Sequence, residues 1–168
     1  NFSTGWHTKT ITKAEYGEYG ESKFLDVWFE DLPESLNMRV YANVNSSGEE
    51  WAIGNVFRYA NAGITGALEG QNNTKVIKIS DDTAELIGKT VNIYIHKDGK
   101  YSRVLNQCVP TEFENVVEKF AANDVQYWKD RAEAYFMKYV KPKIDKKAAE
   151  QAEMTGTDSV NSDVEVPF

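Results

Sequence analysis

Aromatic and cationic side chains recur at alternate positions in two short runs of this sequence. In "KFLDVWFED", Phe24 and Trp28 fall on one side of the run, and in "LNMRVYAN" Arg39 and Tyr41 share a side. An aromatic ring can stack on an unpaired base, and a guanidinium can bind a phosphate or stack on a ring itself. Because every base has a flat face, these residue types predict binding of unpaired nucleic acid without sequence readout.

A third run, "KTVNIYIHKDGKYSRVLNQ", has the pattern of a β-hairpin with the same chemistry on one side. Its Asp98-Gly99 pair favours a two-residue turn, which would place His96 opposite Tyr101 and Tyr94 opposite Arg103. The apolar residues of the run would then lie in the core. The outward residues are further candidate ligands for an unpaired strand. They are Tyr94, His96, Lys97, Lys100, Tyr101 and Arg103.

The elements that must position these side chains are strands around a single helix. In the first two runs apolar residues alternate with other residues, which is the pattern of a β-strand. The apolar positions predict the side of each strand that faces the core. "EEWAIGNVFRYANAG" then has helical spacing with Gly63 as its stop, "TKVIKIS" is a short strand, and "DDTAELIG" is one capped helical turn. Five or six strands with one helix before the closing hairpin is the layout of an oligonucleotide-binding (OB) barrel, here residues 1–111.

The same aromatic residues also fit a structural role. Phe24 and Trp28 could lie beneath a C-terminal helix as ordinary core instead of facing a ligand, and the sequence leaves both alternatives open. Cys108, the single cysteine, is expected to be a small buried apolar residue.

Residues 112–152 read as amphipathic helices. "TEFENVVEKFAAND" predicts a first helix, and Asn123 or Asp124 would cap a second one that Pro142 should kink or end. The apolar stripe of the second helix would dock on the barrel, with a homodimer interface as the alternative. A basic run follows, either as a solvated surface or as a contact to phosphates. Its members are Lys138, Lys141, Lys143, Lys146 and Lys147.

Composition argues against several classes of protein. His7 and His96 are the only histidines, and no spacing joins them to Cys108 as a metal site, so we expect neither a metal nor another cofactor. No glycine-rich phosphate loop or nucleophile motif is present, so we expect no enzyme. No apolar run reaches membrane-spanning length and no leader is recognisable, and a lone cysteine fits a reducing cytoplasm. The expectation is a cytoplasmic protein without a membrane partner.

Residues 153–168 contain few large apolar groups, and we predict a disordered acidic tail. Its end, "DVEVPF", resembles the C-terminal tips of single-stranded DNA-binding proteins, where acids precede Pro-Phe. This resemblance implies that the tip recruits replication or recombination enzymes, such as a polymerase, a helicase-primase or a nuclease. The residues that would do so are Asp163, Glu165, Pro167 and Phe168.

The run "AELIGKTVNIYIHKDGKYSRVLNQCVP" is similar to the last hairpin of phage-encoded OB-fold single-strand binders. The resemblance implies sequence-independent binding and protection of single-stranded DNA during phage replication or recombination, in the cytoplasm of a bacterial host. The net charge of −7 suits two alternatives, an acidic DNA mimic that inhibits a host nuclease or other DNA-binding protein, and a protein–protein adaptor.

Overall fold

The computed structural model describes residues 2–70 and 75–164, with side chains described for residues 2–70 and 76–153. Nine strands occur in this part of the chain. They are β1 (Gly5–Tyr19), β2 (Ser22–Phe29), β3 (Met38–Tyr41), β4 (Ile64–Glu69), β5 (Lys75–Ile79), β6 (Thr90–Asp98), β7 (Tyr101–Val104), β8 (Phe113–Glu114) and β9 (Lys119–Phe120). The helices are α1 (Ala52–Tyr59), α2 (Ala122–Tyr135) and α3 (Lys141–Val164), with a 3-10 turn at Thr83–Leu86 and a π turn at Phe136–Val140.

The main sheet is antiparallel and has the strand order β3-β2-β1-β6-β7. Its central strand β1 pairs with β6 through Gly5 to Thr10 and with β2 from Ile11 onward, and the register with β2 shifts between Ile11 and Lys13. A bulge of this kind bends a strand and increases its twist, which lets the sheet curve around a core. The structure thus confirms a mainly β fold with a helical C-terminal part. Among the described strands, however, β3 and β7 remain the two edges, and no pairing between them closes a barrel.

Along the strands every second side chain points into the hydrophobic core that the curved sheet encloses, as predicted for β2 and β3. Helix α1 covers the core from one end through Ile53, Val56 and Phe57. The inward strand residues are Leu25, Val27 and Phe29 on β2, Met38 and Val40 on β3, and Val91, Ile93 and Ile95 on β6.

The β6–β7 hairpin exists, but its predicted turn is wrong by one residue. Asp98 is the last residue of β6 and pairs with Tyr101, so the turn is formed by Gly99 and Lys100, with Gly99 at φ 65°. Asp98 stays in the strand, where its carboxylate accepts hydrogen bonds from Arg103 at 2.9 Å and from Lys147 of α3 at 3.2 Å. As a result His96 lies opposite Arg103, where the sequence predicts Tyr101.

One predicted boundary in the middle of the chain also differs. Helix α1 ends at Tyr59, and Asn61 takes the left-handed conformation with φ 56°, so Gly63 is not the helix stop. Gly63 instead allows a close approach to β5, since a Cβ there would lie 2.5 Å from the Ser80 carbonyl oxygen. The strand predicted at "TKVIKIS" is present as β5, and Asp82 caps the 3-10 turn by accepting from the Ala84 N–H.

The helix predicted from residue 112 is replaced by a small hairpin, β8–β9. Phe113 pairs with Phe120, and their rings meet edge to face with centroids 5.1 Å apart. The Asn115 side chain accepts hydrogen bonds from the N–H groups of Val117 and Glu118, at 2.8 and 2.9 Å, which makes a turn the local alternative to a helix. The Glu118 carboxylate also receives the Arg58 guanidinium in a fork, which ties the hairpin to α1.

The C-terminal helices run further than predicted. Helix α2 begins after Ala121, whose N–H donates to the Asp124 carboxylate at 2.8 Å. Pro142 does not end the helical path, because the preceding π turn, in which the Lys141 N–H reaches back to the Phe136 carbonyl, accommodates its missing donor. The backbone then stays helical to Val164, where the sequence predicts a disordered tail from residue 153. Ala148 to Glu153 are mostly good helix formers, which explains this continuation in part.

The second helix docks on the main sheet, as predicted for its apolar stripe. Ala132 and Phe136 pack against Leu105 and Val109, the residues that follow β7. Trp6 on β1 also contacts this cluster and donates from its indole nitrogen to Glu133 at 3.2 Å. Within the part of the chain that the structure describes, no helix is long and apolar enough to cross a membrane.

Candidate nucleic-acid interface

A groove of about 590 Å³ lies between the end of β3, helix α1, the segment after β7, and the helical path of α2 and the π turn. Its walls are dominated by aromatic rings and carboxamides. The rings are those of Tyr41, Trp51, Tyr59, Trp128, Tyr135 and Tyr139. The carboxamides are those of Asn43, Asn55, Asn106 and Gln107.

The buried part of the groove is formed by Tyr59 and Trp128, whose ring centroids lie 5.7 Å apart. Burial raises the pKa of Tyr59 to about 12, so its hydroxyl keeps its proton at neutral pH and adds no negative charge. Cys108 also lines the groove, and burial raises the pKa of its thiol to about 12. This thiol is therefore neutral, as expected for a packing residue and unlike a nucleophile.

The rim of the groove carries rings that are accessible to a ligand. Trp51 is 45% exposed, Tyr41 43% and Tyr139 52%. Trp51 is held at the start of α1, because its N–H donates to the Asn43 carbonyl at 2.9 Å. The Glu50 carboxylate accepts from the N–H groups of Asn43 and Ile53, both at 2.9 Å, and so fastens the helix start to the end of β3.

Arg131 is the one charged side chain among the described residues that line the groove. Its guanidinium lies 5.6 Å from the Trp128 ring and donates to the Tyr127 hydroxyl at 3.1 Å. None of the carboxylates that the structure describes belongs to this lining, although the chain has 26 acidic residues and a net charge of −7. The groove thus offers flat apolar surfaces and a positive charge to a ligand.

The residues predicted on the outward side of β2 and β3 do lie together. Phe24 pairs with Tyr41 across the strands, and Asp26 with Arg39. The Arg39 guanidinium binds the Asp26 carboxylate in a fork at 2.7 and 2.8 Å and lies 3.8 Å above the Phe24 ring. Phe24 is only 8% exposed, so it supports this surface from below and is not itself a stacking partner. Tyr41 belongs to this surface and to the groove, and joins the two.

Trp28 is half-buried at the other end of the same surface. The Lys13 ammonium lies 4.5 Å from the centre of its ring, and the indole nitrogen donates to the Glu34 carbonyl at 3.1 Å. Its ring is therefore partly covered by a cation of β1.

His96 is buried, at 5% exposure, and Tyr94 is half-buried, whereas the hairpin pattern predicts both side chains on an open side. The Phe136 ring of the π turn covers them, with centroid distances of 5.2 Å to Tyr94 and 4.8 Å to His96. Burial raises the pKa of Tyr94 and lowers that of His96. Strand alternation places these side chains on the side of the sheet that the C-terminal helices occupy, so they are packing residues.

The other hairpin residues remain accessible at its tip. Tyr101 is 59% exposed, and Lys97 and Lys100 are exposed beside it. Arg103 is exposed as well, with its Nε bonded to Asp98 at 2.9 Å. Of the predicted tail residues, Asp163 falls in the last turn of α3. Glu165, Pro167 and Phe168 lie outside the described residues.

The sequence predicted the aromatic stripe of the second helix, but as a surface that docks on the barrel or forms a homodimer interface. Trp128, Tyr135 and Tyr139 also line the groove, and Arg131 stands among them at helical spacing. The signal that could have identified them is this arginine within an aromatic stripe. Within the described residues, no group of three or more His, Cys, Asp or Glu side chains is arranged to hold a metal.

Comparison with known proteins adds no relative. No protein-family model, no curated protein and no solved structure matches this chain. The grounds for a function are therefore the groove itself and the sequence resemblance.

Proposed function

We propose that this protein binds single-stranded DNA without sequence preference, and that the groove receives its bases. The observation that carries this proposal is the lining of the groove: six aromatic rings and one guanidinium, with no carboxylate among the described residues that form it, in a chain of net charge −7. Stacking of an unpaired base on an aromatic side chain contributes about 1–3 kcal/mol and tolerates any base. In a duplex the base faces are already stacked on each other, so the groove should favour single strands.

The volume and the geometry of the groove suit this ligand. About 590 Å³ lies within the range of small-ligand sites and leaves room for a nucleotide, while the exposed rims let a strand enter and leave. Trp51 and Tyr139 stand at the rims, and Arg131, which is also exposed, lies beside the Trp128 ring, where it can meet a phosphate or stack on a base.

The sheet supports an OB-type barrel as part of the proposal. Its order β3-β2-β1-β6-β7, with a helix after β3, is the order that such a barrel has when its closing pair of strands is not formed. OB-folds bind oligonucleotides on the side of their second and third strands. Here that side carries Arg39 and Tyr41, and Tyr41 continues it into the groove.

The basic run after the π turn could supply phosphate contacts outside the groove. Lys141 is paired with Asp145 at 2.8 Å and Lys147 with Asp98 at 2.9 Å, so these two are partly neutralised. Lys138, Lys143 and Lys146 have no ion pair with any residue that the structure describes. Contacts of this kind hold DNA through charge alone and weaken as salt rises.

The sequence resemblance adds a biological setting to the proposal. The protein would coat and protect single strands during phage replication or recombination in a bacterial cytoplasm, without catalysis. Asp163, Glu165, Pro167 and Phe168 would recruit a polymerase, helicase-primase or nuclease. Deleting Phe168 should then abolish capture of such an enzyme while oligo-dT affinity stays unchanged, and an unchanged capture would refute the recruiting role.

The DNA-binding role is tested by fluorescence anisotropy with labelled oligo-dT. Trp51→Ala and Tyr139→Ala should each weaken binding by about 1–3 kcal/mol, or roughly 5- to 150-fold, because each removes a stacking surface at the rim. Tyr19→Ala is the matched control, since Tyr19 is a 76% exposed aromatic at the β1–β2 turn and lines no part of the groove. Equal affinities for all four proteins would show that the groove does not bind DNA.

The same titration separates the alternatives. A DNA mimic would leave oligo-dT free and would compete with DNA for a nuclease. It would require an array of exposed carboxylates, and the described residues that line the groove include none. An adaptor would leave oligo-dT free and leave nuclease activity unchanged. Binding of oligo-dT that depends on Trp51 is expected only of the proposed function.

A further inference from the structure

A second hollow, of about 450 Å³, lies at the tip of the β6–β7 hairpin. It is formed by the start of β7 together with residues that precede β3, whereas the groove is formed by the end of β3 together with residues that follow β7. Both cavities therefore lie along the seam between the two edge strands of the sheet, at its opposite ends. The residues before β3 are Pro33, Ser35 and Leu36, and those on β7 are Tyr101, Ser102 and Arg103.

The two cavities differ in chemistry. The hollow is lined by three cations, Lys97, Lys100 and Arg103, and no described carboxylate belongs to its lining. Tyr101 adds one exposed ring, with the Lys100 ammonium 5.5 Å from its centre. Arg103 is held by Asp98, and Lys97 donates to the Ser102 hydroxyl at 2.9 Å, so Lys100 is the cation with the most freedom to meet a ligand. A cationic hollow suits phosphates, as the aromatic groove suits bases.

We propose that one single strand occupies both cavities, with its bases in the groove and the backbone of neighbouring nucleotides in the hollow. This inference rests on the proposed function of the groove. The strand would follow the seam between β3 and β7. These strands are sheet edges, and the N–H groups that an edge leaves unpaired can donate to phosphate oxygens.

The length of the seam sets the length of DNA that is needed. Strands β3 and β7 have four residues each, which corresponds to about 13 Å at roughly 3.3 Å per residue. A mononucleotide in the groove does not span this distance, whereas an oligonucleotide does. The contribution of the hollow should therefore depend on DNA length, and that of the groove should not.

The test measures affinity for labelled oligo-dT of increasing length, from the dinucleotide to beyond the roughly 4–16 nucleotides that one OB-type module covers. The hollow variant is Lys100→Ala with Tyr101→Ala, and the groove variant is Trp51→Ala. Lys119→Ala is the control, because Lys119 is an exposed lysine of β9 that lines neither cavity. All four proteins keep the core residues and the ion pairs of Asp98.

We expect the hollow variant to match the intact protein on the shortest oligonucleotides and to bind the longer ones about 10-fold more weakly, since it loses one phosphate contact and the ring that packs beside this cation. On long DNA, its slope of log affinity against log salt should also be smaller by about 0.7, the value for one phosphate contact of a single strand. The groove variant should be weaker at every length, and the control should match the intact protein throughout.

One other outcome would overturn the proposed function, and another would overturn the path of the strand along the seam. If the intact protein binds no length of oligo-dT, the proposed function itself is wrong. If DNA binds through Trp51 but the hollow variant matches the intact protein at all lengths, or loses affinity equally at all lengths, the strand does not follow the seam. In that case the groove remains the binding site.

Discussion

At the scale of single residues, the contact between Gly17 and Phe24 explains how the surface of β2 and β3 is supported. Gly17 pairs with Phe24 across β1 and β2, and a Cβ on Gly17 would lie 2.5 Å from the Cζ of the Phe24 ring. The ring therefore lies over the glycine, with the Arg39 guanidinium 3.8 Å from its centre on β3. The absence of a side chain at Gly17 lets the ring, the guanidinium and the Asp26 carboxylate keep their positions.

We predict that Gly17→Ala lowers the free energy of unfolding by about 1–3 kcal/mol, because the new methyl group displaces the Phe24 ring from its place. Gly54→Ala is the matched control, since the nearest atom there is Glu50 Oε1 at 3.9 Å. This control lies inside α1 and should raise the free energy of unfolding by roughly 0.5–1 kcal/mol. Urea denaturation measures both, and stabilisation by both substitutions would mean that the ring does not lie over Gly17.

His96 should make stability depend on pH. Its ring packs on Phe136, its Nδ1 lies 3.2 Å from the Lys97 carbonyl oxygen, and burial lowers its pKa below the ordinary 6.5 despite the nearby Asp98. The unfolded chain then binds a proton at a higher pH than the folded chain does. Stability is therefore complete above about pH 6.5 and falls as the pH drops from there toward the folded pKa.

This prediction is checked by urea midpoints at a series of pH values. His96→Gln should flatten the fall below pH 6.5, because it removes the buried imidazole whose pKa is lowered. A fall of the same size in the His96 variant would assign the pH dependence to other groups.

Strand alternation predicted which side chains share a side of the sheet, but not what covers that side. Phe24, Arg39 and Tyr41 lie together as expected, and so do Tyr94 and His96. The C-terminal helices cover Tyr94 and His96, and they do not cover Arg39 and Tyr41. Packing of this kind joins residues more than 30 positions apart, and no local pattern records it.

At the scale of elements, the β6–β7 hairpin shows how a distant contact shifts a local preference. The Asp98-Gly99 pair predicted the turn to within one residue, since turn propensity is local. Arg103 and Lys147 hold the Asp98 carboxylate and lower its pKa, and this contact fixes Asp98 in β6. Lys147 lies 49 positions away, so the sequence around the turn contains no trace of it.

Pro142 shows the opposite case. The sequence predicts that this proline disturbs the helix locally, and the disturbance takes the form of a π turn. Pro142 has no N–H for the carbonyl of Lys138, and the helical path responds with wider turns in place of a stop. This change sets the rotation of α3 relative to α2. It also sets where Tyr139 meets the groove and Lys147 meets Asp98.

We predict that Pro142→Ala stabilises the helical path but weakens oligo-dT binding, because regular α-helical bonding would rotate Tyr139 from its present place at the rim of the groove. Alanine is about 3 kcal/mol more favourable than proline inside a helix, so circular dichroism should show a higher melting temperature. The loss of affinity should largely vanish when Pro142→Ala is made in Tyr139→Ala, since the ring is then already absent. A full loss in that background would mean that Pro142 acts through another residue.

At the scale of the whole molecule, the distribution of charge matters more than its sum. No carboxylate lines the groove among the residues whose side chains are described, while the last 14 residues contain Asp158, Asp163 and Glu165 and no lysine or arginine. Removing the segment after Met154 changes the net charge from −7 to −4, because three carboxylates are lost. The remaining molecule repels DNA less.

We therefore predict that truncation after Met154 tightens oligo-dT binding at low salt, and that the difference shrinks as salt shortens the range of charge interactions. The comparison requires anisotropy titrations of both proteins across a salt series. Replacing Asp158, Asp163 and Glu165 by their amides in the full chain is the control for length, and it should reproduce the effect. Equal affinities at low salt would show that these carboxylates do not influence the groove.

The order of the elements was predictable from the sequence, whereas the closure of the sheet was not. Three strands, one helix, a short excursion and a hairpin follow in the expected order. Whether β3 and β7 meet depends on the curvature that the bulge in β1 gives to the sheet, and a bulge at this place has no clear sequence signal. The first helix predicted from residue 112 is absent for a local reason, since the Asn115 side chain stabilises a turn, and asparagine is a residue type known to do so.

The division of β1 between two partners has a consequence for folding kinetics. Its second half meets β2 across the turn between Tyr19 and Ser22, whereas Thr10 in its first half pairs with Thr90, 80 positions later in the chain. A hairpin closes within about 1–10 μs, but a long loop must lose more chain entropy before its ends can pair. The β1–β2 hairpin should thus exist in the folding nucleus, and β6 should join it late. Until then the first half of β1 is an unprotected edge, so the slow step of folding is also the step most exposed to aggregation.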